Sequence, residues 1–230
     1  MHHASASMNP HEHAQLDSAV QVAPEISFEL RDDMATREKL LYAAAAVFSD
    51  KDFYSTKLED IAERAKLAKG TIYLYFKDKT DLIVSAVEYF DTLFLNHIKE
   101  KLVGVTSPMM RLKIALQLWL SVYTCCSTTT TGLHSFLHGL PDEYRGRFIK
   151  LRKEHIDFIR ELINAIAERV GKGTLKRSTD LLAEVILDAM LGYISRVDAK
   201  EYMKDNPPEK YARFLVDVVL PHHEWLMEKV

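Results

Sequence analysis

Along most of the chain apolar residues return every three or four positions, the spacing that places them on one face of a helix. Leu40, Leu41, Ala44, Ala45, Val47 and Phe48 form such a stripe in a helix starting near Asp33, and the charged run Asp50-Lys51-Asp52 ends it. Thr56-Lys57-Leu58-Glu59 has the form of a capping box, with Thr56 capping the N–H of Glu59 and the Glu59 carboxylate returning to the cap. Leu58, Ile61, Ala62 and Ala65 would then face inward. After a break at Lys66-Leu67-Ala68 comes a short segment, Lys69 to Phe76, in which Ile72 and Phe76 are four apart and can anchor one face while Tyr73 and Tyr75 point outward. Asp78 is placed as the N-cap of a long helix to about Val103, buried through Leu82, Ile83, Ala86, Val87, Phe90, Leu93, Phe94 and Ile98.

The same punctuation continues. Ser107-Pro108 supplies an N-cap and an N1 proline for a helix through Trp119 and Tyr123. Thr128–Thr131 favour a helix end or an irregular stretch. Pro141-Asp142-Glu143 opens an amphipathic helix to about Val170, closed by Gly171-Lys172-Gly173. Ser178 or Thr179 starts another, to about Val197, and Asn206-Pro207-Pro208-Glu209 starts the last, to about Glu228. The expectation is an all-α protein of eight or nine helices with no strand and no internal repeat. Residues 1–30 show no sustained period and are expected to form a mobile tail, with Ile26, Phe28 and Leu30 able to dock it.

Two short helices joined by a tight turn, with a third before them, describe a helix-turn-helix that reads DNA. The second short helix must enter a major groove, so it needs polar side chains at its start. Lys69 and Thr71 can meet phosphates or base edges, and Gly70 has no side chain to hold the backbone away. The stretch from Thr36 to Val87, which opens with "TREKLLYAAAAVFSDKDFYSTKLEDIAERAKLAKGTIYLYFKDKTDL", resembles the N-terminal domain of the TetR (tetracycline repressor) family. The likeness is strongest in Lys69-Gly70-Thr71-Ile72-Tyr73-Leu74-Tyr75-Phe76-Lys77-Asp78-Lys79.

That resemblance implies a flexible tail over 1–32, a helix-turn-helix domain over 34–94 with its motif near 57–76, and a larger helical ligand-binding and dimerisation domain over 95–230. It implies backbone contacts from Thr56, Lys69, Thr71, Tyr73 and Lys79, base-edge positions for Lys69, Gly70, Tyr73 and Tyr75, and Lys57 beside them. The implied partners are a pseudo-palindromic double-stranded operator, a second copy of the chain, and a small apolar or aromatic effector that modulates a repressor. Two departures stand out. Lys66 occupies a turn position where the family often has Gly, and a left-handed backbone there costs a non-Gly residue ~1–2 kcal/mol. Ala68 replaces a frequent Ser N-cap, which loses about 1 kcal/mol.

Charge qualifies this picture. The net charge of −3 argues against a nucleic-acid binder, but residues 1–34 carry six acidic and one basic side chain, residues 35–80 carry nine basic and seven acidic, and residues 81–230 carry twenty of each. The single net positive segment is therefore the one with the DNA-reading pattern.

In the larger domain Met110, Trp119, Tyr123, His134, Phe136, His138, Phe158, Met190 and Tyr193, with Met109 and Phe148, could surround an effector, although any of them also suits an ordinary core. Leu182, Val185 and Ala189 in the penultimate helix, and Tyr211, Leu215, Val218, His222 and Trp225 in the last, are the expected dimer face. His134 and His138 are four apart but lack a further ligand, so no metal and no cofactor are expected. Cys125-Cys126 makes no disulfide framework, no apolar run spans a bilayer and no secretory signal opens the chain, so a cytoplasmic location without membrane contact is expected. The alternative is a helical-bundle enzyme or ligand carrier with no DNA-binding role. Against an enzyme, the sequence has no Gly-x-Ser-x-Gly, Gly-rich phosphate loop, His-Glu-x-x-His or Cys-x-x-Cys.

Overall fold

A computed structural model describes residues 29–51, 55–125, 139–169, 176–194 and 199–219. Their regular structure is all helical, with no strand among the described residues. The helices are α1 Thr36–Asp50, α2 Leu58–Arg64, α3 Lys69–Ile72, α4 Lys79–Lys101, α5 Pro108–Cys125, α6 Asp142–Arg169, α7 Lys176–Ile194, α8 Ala199–Asp205 and α9 Pro208–Val219. Helix α8 was not anticipated. It lies between two expected helices and is too short to show a period.

The apolar stripes resolve into separate cores. Leu40, Leu41, Ala44 and Val47 of α1 close on Ile61, Ala62, Ala65, Ile72 and Phe76, with Leu82 and Ala86 from the start of α4. Tyr89 on α4 donates its hydroxyl to Glu38 on α1 at 2.7 Å, and burial, followed by that bond, raises the phenol to about 12. The larger core gathers Phe94, Leu95 and Ile98 of α4, most of α5, and the inner faces of α6, α7 and α9. Here α5 packs between α9 and α6, and α6 runs along α7. Phe48, Ile83 and Val84 meet Leu140 and Tyr144 in a third, smaller cluster, with Phe148 packed on it.

Helix ends follow local chemistry. Asp78 takes the N-cap of α4 and its Oδ1 accepts from the Asp81 N–H at 2.8 Å. Ser107 precedes Pro108, and its Oγ accepts from the Met110 N–H at 3.4 Å. The start of α2 differs from the capping-box expectation. The N-cap position falls on Lys57, which makes no side-chain cap bond, and Thr56 is buried one residue earlier. Asp60, not Glu59, then stands three residues after the cap. Its carboxyl is held below the ordinary value first by a hydrogen bond from Lys51, with a smaller part from the Lys57 backbone N–H.

Candidate nucleic-acid interface

The turn between α2 and α3 aims the second helix. Lys66 has φ 56°, the one non-glycine residue with positive φ among the described residues. Its N–H reaches the Glu63 carbonyl at 3.0 Å, and the Leu67 N–H reaches Ala62 at 2.9 Å. Those two bonds form a Schellman closure around a left-handed residue, which the sequence places on lysine rather than glycine. Leu67 packs on the small core beneath.

Beyond the turn, Ala68 is the N-cap of α3 and makes no side-chain cap bond. The α-helical part is only Lys69–Ile72, shorter than the Lys69–Phe76 segment read from sequence. Hydrogen bonds from the Leu74, Tyr75 and Phe76 N–H groups carry the turn on to Phe76. Ile72 and Phe76 are 0% and 3% exposed and fix this segment to the core. The opposite side is open. Lys69 and Gly70 are exposed, Thr71 is half-buried, and Tyr73, Leu74 and Tyr75 are 53%, 79% and 44% exposed. A Cβ on Gly70 would meet nothing within 4 Å, so packing inside the chain does not demand glycine there. Lys57 is exposed nearby, whereas Thr56 is buried at 2% and Lys79 is half-buried.

Leu74 was missed as a candidate. Its only signal in sequence is that it stands between two outward tyrosines, which does not separate an exposed leucine from a core one.

Several cations of this head are already engaged. Lys69 Nζ lies 2.5 Å from Glu59 Oε1, Lys51 Nζ 2.7 Å from Asp60 Oδ2, and Lys77 Nζ 2.8 Å from Glu143 Oε2. The last of these crosses to α6 and belongs to a junction that the sequence did not reveal. Tyr144 donates to Asp78 Oδ2 at 3.0 Å, so one carboxylate both caps α4 and holds α6. Burial, then that bond, raises the Tyr144 phenol to about 12. Arg147 donates to Asp81 Oδ1 at 2.8 Å, to Ser85 Oγ at 2.9 Å and to both oxygens of Glu88. Its guanidinium is held further into its charged form, first by Glu88.

Farther along α4, Asp91 Oδ2 contacts His155 Nε2 at 2.8 Å, and the Trp119 and His155 rings pack edge to face with their centroids 4.4 Å apart. Met110, Trp119, Phe158, Met190 and Tyr193 all lie in the larger core. Tyr193 has a structural use, since its hydroxyl donates to the Asn206 carbonyl at 2.7 Å and its ring stacks on Tyr211. The Tyr123 side chain, and His134, Phe136 and His138 entirely, lie outside the described residues. Among the described residues no three His, Cys, Asp or Glu side chains cluster as a metal site requires.

Of the expected dimer face, Leu182 and Leu215 are buried in the chain's own core. Ala189 and Tyr211 pack against that core, and Val185 is exposed. The Val218 side chain, His222 and Trp225 fall outside the described residues. The apolar side chains left outside on α7 and α9 are Leu181, Val185, Leu191 and Phe214.

The model of bacterial regulatory proteins of the tetR family matches residues 40–86, the segment that builds this head. The head is therefore similar to that of the tetR family of bacterial regulatory proteins. The relatives that share this segment are transcriptional regulators. The chain is 33% identical over 76 residues to HbdR of Aromatoleum sp. (strain CIB), which covers 33% of each protein, so it spans about a third of that relative's length. It is 23% identical over 195 residues to the transcriptional regulator AcuR of Cereibacter sphaeroides, covering 79% of this chain and 84% of AcuR. Its fold resembles that of Bacillus subtilis FadR, solved with stearoyl-CoA, at a TM-score of 0.63 and 17% identity over 84% of this chain and 98% of FadR. No helix among the described residues is long and apolar enough to cross a membrane.

Proposed function

We propose that this chain is an effector-controlled repressor that docks two copies of its head on successive major grooves of a pseudo-palindromic operator. The observation that carries the reading is the two-sidedness of the α3 segment, with Ile72 and Phe76 buried and Lys69, Gly70, Tyr73, Leu74 and Tyr75 outward. In this reading Lys57, Lys69 and Lys79 meet phosphates and position the head. Thr56 and Thr71 contribute from the helix starts, with Thr56 acting through its backbone because its side chain is buried. Gly70 and Tyr75 lie at base edges, Tyr73 supplies a backbone contact as well, and Leu74 suits a thymine methyl.

Dimerisation supplies the second head. Leu181, Val185 and Leu191 on α7 and Phe214 on α9 give an apolar surface for it. In this reading the chain divides into a head over 34–94 and an effector and dimerisation body over 95–230, a division that the separate cores support. The effector is apolar or aromatic, held among residues of the larger core near Trp119, Phe158 and Met190 and by the segment containing Tyr123, His134, Phe136 and His138. The solved structure of FadR with stearoyl-CoA supports an acyl-CoA as the first candidate.

Footprinting on the DNA flanking the gene tests the docking. Paired protection about one helical turn apart (roughly 34–36 Å), or a multiple of it, is expected. A single unpaired site bound by a monomer refutes the reading. Thermal-shift screening of acyl-CoAs and aromatic acids, followed by titration of each hit against labelled operator, tests the effector, because a ligand selective for the native state raises stability by mass action.

A further inference from the structure

Lys69 opens the DNA-facing helix, yet in the free chain its ammonium has a partner. Nζ donates to Glu59 Oε1 at 2.5 Å, with the two side chains 48% and 59% exposed. Glu59 stands in the first turn of α2, where the backbone N–H groups favour a carboxylate. Its neighbour Asp60 holds Lys51 in the same way at 2.7 Å. Of the head's cations, two that flank the start of α2 are therefore matched by acids from that turn.

We propose that Glu59 is an intramolecular competitor of DNA for Lys69 and so limits how tightly the head holds any duplex. The inference rests on Lys69 as a DNA contact. A phosphate that approaches Lys69 must displace a carboxylate already at hydrogen-bond distance, and that carboxylate then remains beside the phosphate as a like charge. Both groups are ionised when this happens. The hydrogen bond from Lys69 is the main cause holding the Glu59 carboxyl below its ordinary value, and its counterpart holds the Lys69 ammonium above.

The exchange also changes the salt dependence. A free lysine that neutralises a phosphate releases a condensed cation, which contributes a slope of about −0.9 per contact. A lysine that leaves a carboxylate to do so frees that carboxylate to take up a cation, so the net release is smaller. Glu59 thus weakens binding most at low salt and flattens its dependence on salt.

Glu59→Gln removes the charge and keeps the shape and an acceptor oxygen. The probe is a fluorescein-labelled duplex of random sequence long enough for two half-sites, titrated with the full chain between about 50 and 200 mM salt. E59Q is expected to bind about 1.5-fold to fivefold more tightly at the low end, the range set by one exposed ion pair, with a slope steeper by up to about one. In a K69A background the same change should lose most of its effect, because the contested lysine is gone. Thermal unfolding of E59Q should match the parent, since an exposed pair contributes little to stability. Unchanged or weaker binding by E59Q, or an undiminished gain in the K69A background, overturns the proposal. Unchanged binding by K69A alone instead refutes Lys69 as a DNA contact, so the two failures are distinct.

Discussion

Arg147→Met is the most informative perturbation of the junction between head and body. The arginine sits on α6 and joins three residues of α4, Asp81, Ser85 and Glu88. Its side chain is 30% exposed, and those of Asp81 and Glu88 are 23% and 31% exposed. Methionine keeps much of the stem but leaves two partly buried carboxylates facing each other without their cation. Removing one partner of a fully buried pair costs about 3–5 kcal/mol, and the partial exposure here reduces that to about 2–3 kcal/mol. For a chain of this length that is a fall of roughly 4–12 °C in Tm, measured at fixed protein concentration because the stability of the proposed dimer depends on it. Restoring neutrality with Asp81→Asn and Glu88→Gln should recover most of the loss, since the main penalty is the uncompensated charge.

The second readout is coupling. With the rigid link gone, operator affinity without effector should change little. The drop in operator affinity produced by a saturating acyl-CoA hit should shrink, and by reciprocity so should the effect of operator on ligand binding. Calorimetry for Tm, and fluorescence anisotropy with and without the ligand, measure both. A large fall in Tm with a full ligand response would show that the junction only holds the parts together. An unchanged Tm would show that the Arg147 bonds are not formed.

Lys66→Gly should stabilise the fold by about 0.5–1 kcal/mol, the relief of a left-handed lysine less the added freedom of glycine in the unfolded chain, and a lower Tm would contradict the Schellman geometry. Lys69→Ala and Lys79→Ala should each weaken binding to operator and random DNA and reduce the salt slope by about one, and unchanged slopes for both would refute the docking. Val185→Glu combined with Leu181→Glu should shift the protein toward monomer in sedimentation velocity at little cost to the monomer's own core, because both side chains point outward. Trp119→Ala is expected to cost about 3–5 kcal/mol at a site 2% exposed, so Trp119→Phe is the better probe of effector response, with operator binding in the absence of ligand retained.

Much of the fold was legible because its signals are local. Asp78 as an N-cap, Ser107 before Pro108, and the Lys66 turn each depend on a few neighbours, and the period of the apolar residues gave the helices. The bond that Glu59 makes to Lys69 was hidden for the opposite reason. A capping box looks only three residues back, whereas Lys69 is ten residues on, across a turn whose geometry sets the distance. Arg147 is separated from Asp81 by 66 positions, and one charged residue among many on an amphipathic helix carries no mark of that contact. The outward face of α7 was equally hidden. Leu181 and Leu182 are adjacent, as are Val185 and Ile186, so apolar residues occupy both sides, and only the packing of α5 and α6 decides which side is inner.

The small cluster of Phe48, Ile83 and Val84 with Leu140 and Tyr144 has a consequence for anyone building hybrids. Three of these side chains come from the helices of the head and two from the start of α6 and the residues before it. They are mortised together, with the Asp78 carboxylate pinned by the Tyr144 hydroxyl at the edge. A chimera that fuses this head to another sensor by cutting within α4 alone would sever the joint even if the splice were seamless. The transplant must carry the stretch from Leu140 through Phe148 as a fitting, or recut Phe48, Ile83 and Val84 to suit the new body.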